Sequence, residues 1–305
     1  MLEILGKTQI DFIGRRKYAF ILSGFLAFLG LLTVVQIFRG EANLGIDFAG
    51  GTAVQLKFDQ PIRIDEARRL LEGKGFVDAE LQEFTRDNKL LIRVKKLTTI
   101  QERVSERIVE AFQEGFAGNR FVIDSSTEIG PTIGEKLQKD ALVAITVSMI
   151  GIMIYIALRF EFRFGIAAAI ATFHDVLAVL GIFYILDKEI NLLLVTALLT
   201  LAGYSLTDTV VVFDRIRENL RQRRRDSLEQ VINNGINQVL SRTLVLSLTT
   251  LLALIALFSF GGEVIHDFSL ALLLGVLVGT YSSIFVASPI LIFWKGHPGK
   301  LLKRG

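Results

Sequence analysis

The chain contains no cysteine and only four prolines among its 305 residues. Without cysteine it can form neither disulfide bonds nor thiolate metal sites, although this absence does not identify a cellular compartment. The sequence also has no Gly-rich ATP-binding loop, so direct nucleotide hydrolysis is not expected. What the chain has in abundance is apolar residues, which make up 51% of it.

The apolar residues are clustered in six long runs. A run of about 20 apolar residues matches the hydrocarbon thickness of a bilayer. The runs are Tyr18–Phe38, Ala141–Leu158, Phe164–Leu186, Leu192–Phe213, Thr243–Phe260 and Phe268–Trp294. The first run is too long for a signal peptide and no A-x-A cleavage site follows it, so we interpret it as an uncleaved anchor. The pattern predicts a polytopic α-helical membrane protein.

The positions of the basic residues predict the orientation of the chain, because lysine and arginine accumulate in short cytoplasmic loops. Basic residues precede the first run, separate the second from the third and the fourth from the fifth, and follow the sixth. The alternate short loops have only Lys188 and, at 261–267, none. We therefore predict cytoplasmic termini and an insert that faces outward, into the periplasm in a bacterium.

This topology divides the chain into four parts. They are a cytoplasmic N-terminus with the first helix (1–38), a periplasmic insert (39–138), a five-helix membrane core (139–294) with a cytoplasmic loop at 214–241, and a cytoplasmic tail (295–305). The loop is amphipathic, with Val231, Gly235 and Val239 along one helical face. Its arginine cluster suits anionic headgroups, so we expect membrane lipids among its partners.

The insert is predicted to be a small α+β domain. Strands are expected at Gly51–Phe58, Val77–Phe84, Leu90–Val94 and Phe121–Ser126, and helices at Ile64–Gly73 and Thr99–Phe116. This βαββαβ order is that of the ferredoxin-like fold. The insert contains no nucleophile–base pair, metal-ligand spacing or phosphate loop, and its nearly balanced charge argues against nucleic-acid binding. We expect a binding module rather than an enzyme.

The most unusual residue of the apolar runs is Asp208, because a carboxylate inside a membrane helix costs roughly 2.5–3.5 kcal/mol on insertion scales. Arg242 begins the next run on the same side of the membrane. Burial favours a neutral carboxyl group whereas a nearby guanidinium favours a charged one. We therefore predict that Asp208 and Arg242 lie close together and form a proton-responsive site. The alternative for Arg242 is that its side chain extends to water.

A second ionisable pair, His174-Asp175, lies near the middle of the third run. It is either a proton relay or a hydrogen-bonded pair that only fixes helix packing. Because adjacent helical residues point about 100° apart, we expect the two side chains to serve different neighbours. In the sixth run, Gly275 and Gly279 form a small-residue face that predicts helix packing.

Several stretches resemble the SecF members of the SecD/SecF family, which belongs to the RND superfamily. They are Leu44–Gly51, His174-Asp175, Gly203–Asn219, Ser241-Arg242-Thr243, Phe260–Glu263 and Gly279–Ala287. The first includes Asp47 and three glycines, Gly45, Gly50 and Gly51, for which we expect positive φ angles or close backbone approach. The resemblance extends over nearly the whole chain, and the stretch around Asp208 is its most specific part.

The resemblance implies a non-enzymatic accessory subunit of the bacterial Sec translocase in the inner membrane. It implies SecD as a heteromeric partner, SecYEG and YajC as further partners, and unfolded secreted preproteins as clients. Asp208 and Arg242 match the family's proton-pathway positions, which implies protons as the coupling ion and no cofactor. The chain departs from the family at Thr207, where asparagine is usual, and we expect this to tune the site rather than abolish it.

Two other functions remain open from the sequence. An RND-type small-molecule exporter usually has larger outward domains and twelve spans in one chain, whereas this chain has six runs and a smaller insert. A structural scaffold of a translocon, without proton flux, is the other alternative, because buried ion pairs can be purely architectural.

Overall fold

The computed structural model describes residues 8–85, 87–95, 104–159, 161–222 and 226–293. The chain divides into two compact units, one of Met1–Asn43, Ala144–Glu189 and Leu193–Gly305, the other of Leu44–Val143 and Ile190–Leu192. The elements are, in chain order, α1 (Arg16–Arg39), α2 (Ile46–Ala49), β1 (Gly51–Phe58), α3 (Ile64–Gly73), β2 (Glu80–Phe84), β3 (Lys89–Lys95), α4 (Val104–Gly115), β4 (Phe121–Ile129), α5 (Pro131–Arg159), α6 (Phe162–Ile185), α7 (Leu192–Gln222), α8 (Leu228–Phe260), α9 (Glu263–Ser282), a π-helical turn (Ser283–Ala287), α10 (Ser288–Ile290) and a 3-10 turn (Leu291–Phe293).

Six helical segments of the described chain are long and apolar enough to cross a membrane: α1, α5, α6, α7, α8 and the segment formed by α9 with the turns that follow it. Each overlaps one predicted apolar run, which confirms the polytopic helical class. α5 begins at Pro131, well before the predicted start at Ala141. Trp294, the predicted end of the last run, lies outside the described residues.

α7 and α8 extend beyond the predicted runs, to Gln222 and from Leu228. α8 begins with a capping box, in which Ser227 Oγ accepts from the Gln230 N–H at 3.3 Å and the Gln230 side chain accepts from the Ser227 N–H at 3.2 Å. Such reciprocal bonds satisfy two backbone donors that a helix start leaves unpaired. The predicted loop at 214–241 is therefore, in its described part, mainly the ends of two helices.

The α+β unit has a four-stranded antiparallel sheet with the strand order β2-β3-β1-β4. Alternate residues of the central strands, such as Val54 opposite Ile92 and Leu56 opposite Leu90, point into one hydrophobic core. α3 and α4 complete this core with residues that include Leu71, Ile108 and Phe112. The element order βαββαβ and this strand order confirm the predicted ferredoxin-like domain.

Two strand boundaries in this unit differ from the predictions by three residues each. β2 begins at Glu80 rather than Val77, because Phe76 turns into the core and leaves Val77 exposed. β4 continues past the predicted end at Ser126. The predicted start of the second helix, at Thr99, lies outside the described residues.

In the membrane unit, α1 and α6 cross at two glycines. A Cβ atom on Gly30 would lie 2.6 Å from Leu177 Cβ, and one on Gly181 would lie 2.7 Å from the backbone N of Gly30. Carbon atoms in contact need about 3.5–4.0 Å. The two backbones therefore approach each other more closely than any other residue type allows, and α6 is fixed against α1.

Candidate functional site

The structure buries all three predicted acidic and histidine residues of the membrane helices. Asp175 is 0% exposed and His174 6% exposed on α6, and Asp208 is 2% exposed on α7. The adjacent Ser282 and Ser283 bond Asp175 and Thr209, the neighbour of Asp208, so the two carboxylates belong to one polar cluster. Because an isolated charge is very costly in an apolar interior, the groups around these carboxylates decide what the site does.

Both carboxylate oxygens of Asp175 have hydrogen-bond partners. Its Oδ1 atom lies 3.0 Å from His174 Nδ1, and its Oδ2 atom accepts hydrogen bonds from the hydroxyls of Ser205 and, at 2.7 Å, Ser282. Three elements, α6, α7 and α9, thus meet at one side chain. The contact with His174 also shows that our expectation of different neighbours was wrong, since the two adjacent side chains turn toward each other.

Asp208 has a different environment, in which hydroxyl groups replace a counter-charge. The side chains of Thr243 on α8 and Ser283 in the π-helical turn face its carboxylate. Nevertheless, the Oδ2 atom of Asp208 and the Oγ1 atom of Thr243 have no hydrogen-bond partner within the described part of the chain. Buried polar atoms are rarely left in this state, and those that are need a functional or structural explanation.

The predicted ion pair between Asp208 and Arg242 is not formed among the described residues. Arg242 is exposed, whereas the next residue, Thr243, is buried and faces the carboxylate. Successive residues of a helix point about 100° apart, so α8 presents only one of the two to the core. Arg242 therefore lies on the outer face of the helix.

A π-helical turn, which the sequence did not predict, completes the site. Ser283, its first residue, lies 2.9 Å from Thr209 through their hydroxyl oxygens, next to Asp208. The Ser288 hydroxyl donates to the carbonyl of Ser283 at 2.8 Å and thereby satisfies a backbone group of the turn. π-Helical turns are rare and often occur at functional sites. The paired serines, Ser282 and Ser283, bring hydroxyls to both carboxylates.

The predicted small-residue face of α9 packs against α7. Cβ atoms on Gly275 and Gly279 would lie 2.6 Å from Leu201 Cδ1 and 3.1 Å from Ser205 Cβ. The Gly279 carbonyl also accepts from Ser282, at 3.1 Å, and from Ser283, at 2.9 Å. These two glycines therefore permit the close approach that places the serines beside the carboxylates.

Thr207, one residue before Asp208, is exposed and lies away from the site. Its hydroxyl donates to the Gly203 carbonyl within α7, at 3.1 Å. A threonine that bonds its own helix in this way contributes no hydrogen bond to a neighbouring helix. The residue that departs from the resembled motif is therefore on the outer face of α7.

The Gly-rich stretch lies in the α+β unit. Besides its glycines, it contributes Asp47, whose carboxylate bonds the start of α7. φ is +74° at Gly50 and +147° at Gly51, whereas at Gly45 it is −65°, which any residue can adopt. The Oδ2 atom of Asp47 accepts from the backbone N–H of Leu192, the first residue of α7, at 3.0 Å. A carboxylate in this position caps a helix and complements its dipole.

Chemically, the membrane site is suited to proton exchange. Two carboxylates and an imidazole lie among hydroxyls that donate or accept with equal ease, and His174 Nε2 has no hydrogen-bond partner in the described chain. Among the described residues, no group of three or more His, Cys, Asp and Glu side chains has the arrangement of a metal site.

Comparison with known proteins gives consistent results over nearly the whole chain. Residues 94–297 match the family model "Protein export membrane protein SecD/SecF, C-terminal", and residues 42–62 match the SecD/SecF GG motif. The protein translocase subunit SecF of Thermodesulfovibrio yellowstonii is 56% identical over 294 residues, which cover 96% of this chain and 97% of the relative. The SecF subunit of Vibrio alginolyticus is 40% identical, with 96% and 92% covered.

Two solved structures also resemble this chain. The crystal structure of SecDF, a translocon-associated membrane protein from Thermus thermophilus, has a TM-score of 0.80 and 36% identity over 94% of this chain. SecDF in its super-membrane-facing form has a TM-score of 0.69 and the same identity over 95% of this chain. In both comparisons this chain spans only 39% of the SecDF chain.

Proposed function

Because the chain belongs to the SecD/SecF family of protein export membrane proteins, among its SecF translocase subunits, we propose that it couples a transmembrane proton gradient to protein export. In this mechanism Asp208 and Asp175 take up and release protons. The change of charge alters how α7 packs against α8 and α9. The subunit performs no covalent chemistry and needs no cofactor other than the protons themselves.

The observation that supports this proposal most directly is that the two buried carboxylates differ in how fully they are hydrogen-bonded. Asp175 is bonded to His174, Ser205 and Ser282, whereas one oxygen of Asp208 has no partner among the described residues. A proton on Asp208 removes an unbonded negative charge from an apolar interior, and loss of that proton restores it. Such a change favours different helix arrangements in the two states.

The available energy is sufficient for this coupling. Moving one elementary charge across 100 mV is worth about 2.3 kcal/mol. Since about 1.4 kcal/mol changes an equilibrium tenfold, one proton per cycle shifts a two-state equilibrium by more than one order of magnitude. The hydroxyls of Thr209, Thr243 and Ser283 provide the short steps along which the proton moves.

We propose SecD as the heteromeric partner, because the similar SecDF chains are more than twice as long as this one. Arg242 and Thr207 are both exposed on the outer faces of their helices, α8 and α7. In this assembly they contact SecD, and the guanidinium of Arg242 acts at the subunit interface rather than as the direct counter-charge of Asp208. SecYEG, YajC and unfolded preproteins are the further partners that we propose.

The decisive experiment measures export of an unfolded reporter from inverted membrane vesicles that contain SecYEG and the SecD–SecF complex, with and without a proton gradient. We expect Asp208→Asn and Asp175→Asn to remove the gradient-dependent part of export. The matched control is Asp187→Asn, because Asp187 is exposed and its left-handed backbone, with φ of 50°, suits asparagine equally well. Gradient-dependent export in both Asn variants would contradict proton coupling and favour a scaffold.

The proposed orientation, in the inner membrane with cytoplasmic termini and residues 39–138 in the periplasm, has its own test. The chain has no cysteine, so single cysteines can be introduced without a background signal. Exposed positions such as Asp78 in the α+β domain and Arg221 in α7 are expected to react with an impermeant maleimide from opposite sides of the membrane. Reaction of both from one side would contradict the topology.

A further inference from the structure

Residues 8–15, here called the N-terminal strap, are bound to α8 by two asparagines one helical turn apart. Asn233 Oδ1 accepts from the Phe12 N–H at 2.9 Å, and its Nδ2 donates to the Ile10 carbonyl at 3.0 Å. Asn237 Oδ1 accepts from the Ile10 N–H and its Nδ2 donates to the Ile10 carbonyl, both at 2.9 Å. The two amides therefore hold the strap backbone in both directions, as a neighbouring strand does.

The strap also places side chains in the membrane unit. Phe12 and Ile13 are buried in the same hydrophobic cluster as Phe213 of α7 and Ile284 of the π-helical turn. The ring of Phe12 meets that of Phe285, within the π-helical turn, edge to face at a centroid distance of 5.6 Å. Such aromatic pairs contribute about 0.5–1.5 kcal/mol beyond their buried area. The strap is therefore packed directly against the turn.

A second aromatic residue, Tyr281 of α9, also contacts the Phe285 ring and is bonded to α1. Tyr281 stacks on Phe285 at 5.2 Å, its hydroxyl donates to the Ala19 carbonyl at 2.8 Å, and it accepts from Ser23 at 3.1 Å. Phe12 and Tyr281 therefore both contact the Phe285 ring, the first edge to face and the second stacked. The residues between Tyr281 and Phe285 are Ser282, Ser283 and Ile284, and the two serines reach the carboxylate site.

The support of Phe285 matters because the π-helical turn determines the directions in which Ser282 and Ser283 point around the helix axis. In a regular α-helix, Ser282 and Ser283 point about 100° apart, and a change from π to α geometry rotates the residues before the turn relative to those after it. The two serines therefore keep their directions toward the site only while the turn keeps its geometry. In the structure, Ser282 bonds Asp175 and Ser283 bonds Thr209. Since π-helical turns are intrinsically unfavourable, tertiary contacts have to maintain this one.

We propose that the N-terminal strap positions the hydroxyls of Ser282 and Ser283 at the buried carboxylates, with Phe12, Asn233 and Asn237 as positioning residues. Only the consequence for export rests on the proposed function; the positioning role itself does not. The strap acts through Phe285 and the π-helical turn. Its release allows the turn to relax and withdraws the hydroxyls from the site.

The test uses Ser283→Cys as a reporter in the full chain, because Ser283 is buried and the chain has no other cysteine. Labelling by a small maleimide is expected to accelerate about tenfold when Asn233→Ala and Asn237→Ala are combined, or when Phe12→Ala is introduced. Phe12→Leu keeps apolar contact and is expected to stay within about twofold of the parent rate. The matched control is Asn234→Ala, on the same helix, whose side chain makes no hydrogen bond among the described residues.

Two further measurements separate positioning from general loosening. Trypsin cleavage near Arg15, which is exposed just before α1, reports release of the strap. Thr33→Cys, buried at the other end of α1, reports loosening of the whole unit. Faster labelling at Ser283→Cys alone supports the proposal. Strap release without faster labelling there, or equal acceleration at both cysteines, overturns it.

Export assays with the same strap variants connect the two proposals. We expect gradient-dependent export to fall with Phe12→Ala and to recover with Phe12→Leu. If the parent protein exports its reporter equally well without a gradient while the labelling results hold, the proposed function fails and the positioning role stands.

Discussion

Asp47 accepts a hydrogen bond from the backbone N–H of Leu192, 3.0 Å away, and so caps the first turn of the helix that contains Asp208. Within the α+β unit this bond is joined by the Leu44–Ile190 bridge and by the Gly45 N–H, which donates to the Ile190 carbonyl at 3.0 Å. The Gly-rich stretch and the start of α7 are therefore parts of one hydrogen-bonded structure.

The cap gives the first prediction. Asp47→Ala is expected to cost about 1 kcal/mol of stability, because the first turn of α7 loses its acceptor, while the isosteric Asp47→Asn retains most of the effect. Thermal unfolding of the purified protein in detergent measures the difference. Asp78→Ala, at an exposed aspartate of the same unit, is the control and is expected to have little effect. Equal destabilisation by both substitutions contradicts the capping role.

The glycine crossing of α1 and α6 gives the second prediction. Gly30→Ala is expected to destabilise the protein by about 1–3 kcal/mol, since the added methyl group overlaps Leu177. Gly24→Ala lies on the same helix, where a Cβ atom meets nothing within 4 Å, and is expected to be neutral or slightly stabilising. The unfolding temperatures of the two variants, compared in one detergent, check this contrast. Similar values for both argue against the close crossing.

The exposed position of Arg242 gives the third prediction. Removing one partner of a buried ion pair costs about 3–5 kcal/mol, whereas surface substitutions usually change stability by less than about 0.5 kcal/mol. Arg242→Ala is therefore expected to leave the stability of the isolated chain almost unchanged. Lys57→Ala, at an exposed position of the α+β unit, serves as a reference surface substitution. A loss of several kcal/mol with Arg242→Ala alone means that the guanidinium is paired inside the protein.

The fourth prediction concerns pH and begins with Glu161, which precedes α6. Burial raises the pKa of Glu161 above its usual value. The charges of Arg217, Arg221 and Arg163 act in the opposite direction without cancelling this effect. The native state therefore retains the proton more strongly than the unfolded state, and stability is lost as pH rises through the native pKa. Glu161→Gln is expected to raise the unfolding temperature at pH 7 and to have no effect near about pH 4.

Glu114 is the matched carboxyl group, with a pKa shift in the opposite direction. Its ion pair with Lys74, with a 2.5 Å contact, lowers the pKa of Glu114, so its contribution is present at neutral pH and is lost on acidification. Glu114→Gln is thus expected to lower the unfolding temperature at pH 7, by a small amount because the pair is on the surface. Shifts of the same sign in both Gln variants would contradict the assignment.

The sequence predicted the parts of the fold that follow from periodicity. Alternation in Gly51–Phe58 and Leu90–Val94 placed one face of each strand in a core, and the structure confirms both strands. The apolar runs likewise located the membrane helices. Asp208 was identified because a carboxylate stands out within an apolar run, and that signal depends only on local composition.

The sequence predicted less well which side of each helix faces its neighbours. The sequence predicted similar depths for Arg242 and Asp208, but depth does not determine which side of α8 faces α7. A signal was nevertheless present: Thr243 and Ser247, four residues apart, form a polar stripe, and both are buried. Because Arg242 is not on that stripe, the stripe points to Thr243 as the residue that faces the carboxylate.

The π-helical turn and the N-terminal strap depend on contacts between distant parts of the chain. Phe12 meets Phe285, and Ile10 meets Asn237, across more than two hundred residues. Neither pair has a local signature, since a serine doublet and two asparagines one turn apart also occur in ordinary helices. Only the folded arrangement reveals that these residues converge on one site.

The crossing at Gly30 and Gly181 also limits how the membrane unit can move. With no side chain between the two backbones, any axial slide of α1 along α6 would drive the bulkier residues of the next turn into main-chain atoms. Sliding of one helix along the other is therefore blocked, so α1 and α6 are expected to move together as one rigid body. In the proposed mechanism, helix movements are therefore expected at the hydroxyl-lined contacts of α7, α8 and α9.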